Sequence, residues 1–277
     1  MHYLAGSRAG RIHPVWLDSQ AATPNCEPGL LRLLSEKAGR EVSALDVPAY
    51  IAAVAAHPGF TAVYRDDLLD AKSMRVPLTA DPELFDHAAG LGRRILYLST
   101  FGQRCRPPEA PPGCPRAPGG PTLETPMPAK PESLRHDQAA RTLTIAGRGI
   151  DGSPASGIVA NVAVEVFDYS VSTMNVLQSW FDYRKHEPSG KKGSPLDYMV
   201  PETWRTRYTD DLIDLLHVLT LLVEARPEQR RLLDEIKAGP LIGLDTLKAA
   251  GALPGVKGTR AKPAEFEPGR QSPTLDV

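Results

Sequence analysis

Apolar positions along this chain follow two periods, and the changes between them outline the elements. Leu30, Leu31, Leu33 and Leu34 form a helical stripe that Gly39 can close with a left-handed turn. A second helix is predicted from Asp46, read as its N-cap, through Tyr50, Ile51 and Val54 to His57-Pro58, where proline stops it. Asp81-Pro82 pairs a cap with a proline at the first helical position and opens a third helix through Leu84, Phe85 and Ala88. Strand-like runs come between and after these. Ile12 to Leu17 is a short candidate, ILYLST (95–100) reads as a buried strand, and RTLTI (141–145) alternates ahead of the Gly147-Arg148-Gly149 turn. IVANVAVEVFDY (158–169) is β-branched and long enough for a bent strand. A helix follows, with Ser172 as N-cap and the stripe Val176, Leu177, Trp180, Phe181. The next opens at Thr209 with Asp210 and Asp211 in its first turn, where they suit the helix dipole. It carries Leu212, Leu215, Leu216, Leu219 and Leu222, and is predicted to end at Arg226-Pro227, with a separate helix over 227–238 stopped by Gly239.

Helices leading into strands, and strands into helices, make this an α/β mixed (α+β) chain. Residues 107–131 hold ten prolines and read as an extended connection without a packed core of its own. Neither flank looks like a complete fold, so the expectation is one domain over 1–253 with a Pro-rich internal loop at 107–131. Residues 254–277 are rich in proline, glycine and charge and are expected to be a disordered tail.

Composition narrows the function classes. The 277 residues are 42% hydrophobic and 23% charged, ordinary for a globular protein with a real core. No run approaches the length of a membrane span, and the first residues contain no apolar stretch of signal-peptide length, so a cytoplasmic location is expected. Cys26, Cys105 and Cys114 form no C-x-x-C pair, and the seven histidines lack metal-ligand spacing; neither a disulfide framework nor a metal is suggested, and no cofactor. The net charge of −1 does not announce a nucleic-acid binder, but residues 93–148 contain nine Lys/Arg against four Asp/Glu. There is no phosphate loop, no dinucleotide fingerprint and no nucleophile elbow. Asp210, Asp211 and Asp214 are explained by a helix start, and His217 in an apolar helix reads as a satisfied structural histidine.

The most distinctive segment is VFDYSVSTMNVLQSWFDYRKHEPSGKKGSPLD (166–197), in which aromatics and cations interleave around a helix and a basic Gly/Ser/Pro loop. With it, several stretches occur in a recognisable order: RAGRIHPVWLD (8–18) with Ala22-Thr23-Pro24-Asn25, Asp46 through Pro58, Arg75-Val76-Pro77-Leu78-Thr79, LSTFGQR (98–104), YSVSTMNVLQSWFDYR (169–184), SPLD (194–197), Pro201 to Trp204, Leu212 to Leu222, and Gly239-Pro240. The ordered set resembles the C-terminal specificity (target-recognition) region of type ISP restriction–modification enzymes. Those are single polypeptides that join a helicase-like translocase, an adenine methyltransferase and a DNA-reading domain. This chain departs from the family pattern at Ser99, where His is usual, at Phe101, where Tyr is usual, and at Thr173, where Gly is common. The translocase region and the methyltransferase signatures, a Gly-rich S-adenosylmethionine loop and an Asn/Asp-Pro-Pro-aromatic motif, do not occur.

The resemblance implies a DNA target-recognition module of a restriction or phage-defence system, binding duplex DNA without catalysis of its own. Its partner would be DNA, with a separately encoded methyltransferase or restriction subunit as a second. It implies phosphate contacts by Arg184, Lys185, Lys191 and Lys192 around Ser189-Gly190, base-edge contacts by Thr173 and Asn175, and a second basic patch of Arg93, Arg94, Arg104 and Arg106. The same cations also suit a helix C-terminus, and Trp180 and Phe181 belong to the core stripe. Two rivals stand beside this reading. One is a protein-interaction scaffold that docks on a separate methyltransferase through the Leu212–Leu222 face. The other is an enzyme whose pocket gathers Asp, His and Tyr residues.

Overall fold

A computed structural model describes residues 14–70, 75–171, 174–185 and 201–253. In chain order its helices are α1 (Pro28–Ala38), α2 (Asp46–Ala55), α3 (Pro58–Val63), α4 (Arg65–Asp70), α5 (Pro82–Ser99), α6 (Val164–Phe167), α7 (Val176–Asp182), α8 (Thr206–Ala238) and α9 (Leu244–Ala249). Its strands are β1 (Thr122–Thr125), β2 (Lys130–Asp137), β3 (Thr142–Arg148), β4 (Pro154–Ala160), β5 (Ser170–Val171) and β6 (Met174–Asn175). The architecture is therefore mixed α and β. Among the described residues no helix is long and apolar enough to cross a membrane. The chain divides into two compact units, Met1–Arg93 with Gln229–Val277, and Arg94–Glu228.

The first unit is helical. Leu33, Leu34, Tyr50, Val54, Phe60, Phe85, Leu91, Leu232, Leu233 and Ile236 form its buried core. Gly39 closes α1 with φ 65, as its position after the leucine stripe predicts. Gly92 lets α5 lie directly on α2, because a Cβ there would collide with the Ala49 carbonyl. Asp46 is the first residue of α2 and does not cap it. Its carboxylate instead accepts the Ser43 N–H at 2.8 Å and the Ser43 hydroxyl at 3.0 Å, and it pairs with Arg40 and Arg93. Burial alone would push this carboxyl up. The Ser43 N–H and the Arg93 charge outweigh burial and hold it below its ordinary value. Tyr50 is pushed up to about 12 by burial, so its hydroxyl stays protonated. It donates to the Pro77 carbonyl at 2.8 Å and accepts the Thr79 N–H at 3.1 Å. Ala80 N–H bonds the Pro240 carbonyl and Ile242 N–H the Leu78 carbonyl. The Arg75–Thr79 stretch is thus scaffold, held by Tyr50, and Pro240 is tied to it through Ala80.

The second unit contains a four-stranded antiparallel sheet in the order β1-β4-β3-β2. Leu143, Ile145 and Val159 alternate onto its buried face, and Leu143 stands opposite Val159 in the register. Asn161, with φ 60, ends β4, and the chain then turns into α6. The 158–169 run is therefore strand followed by helix. Val162, Val166, Leu177 and Phe181, together with Leu212, Leu216 and Leu219 of α8, are buried in the same unit.

Four sequence expectations are corrected. ILYLST is the last turn of α5 and no strand: Ile95 and Leu98 are buried at the same three-to-four-residue spacing as Phe85, Ala88 and Leu91, so the helical period simply continues. Between residues 107 and 131 the chain forms β1 and the start of β2. Both are edge strands, where proline is tolerated, and Pro131 sits at the register shift of β2. Helix α8 begins at Thr206 and runs unbroken through Pro227, so the two predicted helices are one. Buried Leu222 and Ala225 before the proline, and Gln229, Leu232 and Leu233 after it, offset the missing backbone bond, a loss of about 3 kcal/mol. Residues 14–17 make only an isolated bridge, Trp16 to Pro24. Asp18 turns the chain back by accepting the N–H groups of Gln20, Ala22 and Thr23. Ile12 and the tail from 254 lie outside the described residues.

Candidate nucleic-acid interface

Helix α7 is short, and its position is set from both ends. Its cap is Asn175 and not Ser172, a position outside the described residues. The Asn175 side-chain oxygen accepts the Gln178 N–H at 2.7 Å, while its amide donates to the Phe167 carbonyl at 2.7 Å. Both polar ends of the Asn175 side chain are thereby committed to holding the β5–β6 hairpin against α7. That is a local role for a residue expected at a base edge. Leu177 and Phe181 fill the core, as their stripe predicts. Trp180, on the same stripe, is only half-buried.

At the C-terminus of α7 the chain folds Arg184 back over the helix. Its guanidinium donates to the Trp180 carbonyl at 3.0 Å and lies 4.3 Å above the Trp180 ring centre, with the Tyr208 ring at 5.9 Å. Trp204 stands edge-on to both rings, at 6.1 Å from Trp180 and 5.4 Å from Tyr208. Trp204 is itself fixed, its indole donating to Thr209 at 2.9 Å and its backbone N–H to the Ala129 carbonyl at 2.7 Å. Burial pushes the Arg184 guanidinium below its ordinary value, while Asp211 and Tyr208 oppose the shift; arginine remains charged throughout the physiological range. Among the described residues Arg184 forms no ion pair. A half-desolvated cation on an aromatic rim, with Asp211 acting on it only from beyond ion-pair distance among the described residues, has donors left for an anion from outside.

The other expected cations are distributed differently. Lys185 is paired with Asp182 at 3.0 Å, one turn back on α7. Lys191, Lys192 and Thr173 lie outside the described residues. In the second patch Arg93 is bound to Asp46, Arg94 is 4.0 Å from Glu228, and Arg106 donates to the Ala110 carbonyl at 2.9 Å. Arg104 alone among these four is exposed with no side-chain partner among the described residues. In the same unit, Arg226 lies 4.3 Å over the Tyr169 ring. Sequence reading missed Arg226, Trp204 and Tyr208 as parts of a site, because Arg226 meets Tyr169 and Trp204 meets Trp180 only through the fold.

His217 anchors the Pro-rich stretch. Its Nδ1 accepts the Ala117 N–H at 3.1 Å, so the ring is neutral, with its proton on Nε2. Burial and the Arg116 charge push the imidazole below its ordinary value, against Asp214 and a hydrogen bond to Pro121. Arg116 pairs with Asp214, and the Cys114 thiol points at the Asp214 carbonyl at 3.8 Å. Burial pushes that thiol up to about 11. A protonated thiol and an imidazole whose Nδ1 is occupied by backbone do not make a nucleophile and base. The group is a staple that keeps residues 114–121 on α8.

The family model described as the type ISP C-terminal specificity domain matches residues 1–215. No curated protein matches the chain. Among solved structures, a chain of the cryoEM structure of a DrdV–DNA complex is similar at 17% identity with a TM-score of 0.48, over 74% of this chain. This chain spans 19% of the length of that one.

Proposed function

The chain belongs to the family of type ISP C-terminal specificity domains, DNA target-recognition modules, and we propose that it reads duplex DNA from the face built by Arg184 and its aromatic rim, without catalysis of its own. The observation that carries the choice of face is Arg184 itself, charged, half-buried on Trp180 and in no ion pair among the described residues. A phosphate oxygen would complete its hydrogen bonding and replace lost water. Lys191 and Lys192 follow Arg184 closely in the sequence and lie outside the described residues. Two observations support the non-catalytic reading. His217 and Cys114 serve as structural anchors, and Asp46 is consumed by ion pairs.

The scaffold rival needed the Leu212–Leu222 face to be free. Leu212, Leu215, Leu216, Leu219 and Leu222 are all buried, so that face is spent inside the second unit. A separately encoded methyltransferase or restriction subunit remains the proposed source of chemistry, acting in the cytoplasm where DNA is accessible.

Binding of the purified chain to random-sequence duplex DNA tests the proposal, with fluorescence anisotropy read as salt rises from about 50 to 200 mM. Several phosphate contacts should make affinity fall steeply, with a log–log slope of about −0.9 per contact. Affinity at about 50 mM salt no greater than that of an acidic control protein would remove the reading.

A further inference from the structure

The turn after α5 carries a residue that backbone preference does not explain. Phe101 N–H bonds the Leu98 carbonyl and Gly102 N–H the Tyr97 carbonyl, both at 2.9 Å. This pair of bonds closes a helix whose next residue is left-handed, a position where glycine is favoured. Here that residue is Phe101, with φ 54, and a bulky side chain in this backbone conformation is a steric outlier. Burial does not fully explain it, since the residue is 38% exposed. The glycine stands one place later, at Gly102, where a Cβ would collide with the Gly113 carbonyl.

The turn is also firmly held. Thr100 donates its hydroxyl to the Leu96 carbonyl at 2.8 Å and accepts the Arg104 N–H at 3.1 Å. Further on, Ala117 is fixed on α8 by His217. A partly exposed aromatic residue and Arg104, which has no side-chain partner among the described residues, therefore share one hydrogen-bonded turn, within the stretch 93–148 that holds nine Lys/Arg against four Asp/Glu.

We propose that Phe101 and Arg104 form a second DNA-contacting pair. The Phe101 ring packs on the apolar edge of a base, such as a thymine methyl, and Arg104 neutralises the neighbouring phosphate. The proposal rests on the reading of the chain as a duplex-DNA recognition module, and it assigns Phe101 to sequence discrimination. Strain at a partly exposed aromatic residue is what a contact residue retained for its ligand would show.

Phe101→Gly separates this role from a structural one, because glycine relieves the backbone. The variant should melt at or above the wild-type temperature. It should bind the best duplex selected from a random pool roughly tenfold more weakly, lose less on the unselected pool, and keep the wild-type salt slope. Arg104→Ala should instead weaken both pools alike and reduce the salt slope by about one contact. Wild-type binding with both variants unchanged would overturn the pair and leave the family reading standing. A lower melting temperature for Phe101→Gly would show that the ring is there for packing, and would overturn its role in discrimination. Failure of the wild-type chain to bind any duplex would overturn both.

Discussion

Arg184 and Lys185 are adjacent in sequence and meet different fates, which shows how much a residue's role depends on what lies beside it. Lys185 reaches back to Asp182 and is neutralised; Arg184 lies flat on Trp180 and keeps its charge. The planar guanidinium can stack and donate at once, whereas an ammonium cannot. Arg184→Lys should therefore retain the salt slope of DNA binding but lose the stack, which contributes about 0.5–2 kcal/mol at a partly buried site. Arg184→Ala should lose the stack and also one phosphate contact, reducing the slope by about 0.9. Anisotropy titrations of both variants at two salt concentrations check this; equal slopes for wild type and Arg184→Ala would take Arg184 out of the interface.

At the scale of elements, the Pro-rich stretch shows what composition conceals. Ten prolines within 107–131 predict an extended chain, and local extension is indeed present. Order comes from elsewhere, from edge pairing of β1 and from the His217 bond to Ala117. Replacing His217 with Ala would leave the buried Ala117 N–H without an acceptor, at a cost of about 1–3 kcal/mol. The expected result is faster proteolysis confined to residues 100–121, with β3 and β4 protected, read by mass spectrometry of limited digests. A digest pattern like that of the wild type would show that the strands hold the loop without the histidine. The same dependence on distant partners explains α8: its leucine spacing was legible, but continuity through Pro227 follows from burial on both sides of the proline.

For the whole molecule, pH should act through different groups in the two units. His217, beside Arg116, Asp214 and Cys114 in the second unit, titrates below its ordinary 6.5. Its stabilising contribution is complete above that value and is lost as pH falls from about 6.5 through the lowered folded value. Asp46, in the first unit, is held below its ordinary 3.8, so its contribution persists until much lower pH and fails only as the carboxyl protonates. Trp180 and Trp204 belong to the second unit, which makes tryptophan fluorescence a reporter weighted to it. Thermal melts followed this way should lose stability between pH 7.5 and pH 5.5 in the wild type. A His217→Gln variant should show a smaller loss over the same interval, and an equal loss would exclude His217 as the cause.

The sequence alone determined most of what is local or periodic. The leucine stripe of α1 with its closing Gly39, the Asp81-Pro82 helix start, the alternation of β3 and the apolar stripe of α7 all depend on neighbours within a few residues, where backbone sterics and side-chain spacing act directly. The ordered motifs likewise sufficed for family membership. Tertiary structure alone decided which polar residues remained available. Asp46 was drawn into ion pairs, Asn175 into a cap and Lys185 into a local pair, while Arg184 and Arg104 form no ion pair among the described residues. It also decided that ILYLST stays helical and that the Pro-rich stretch is pinned. A charge or a donor is free or occupied according to partners brought from far along the chain, and no spacing within a segment records those partners.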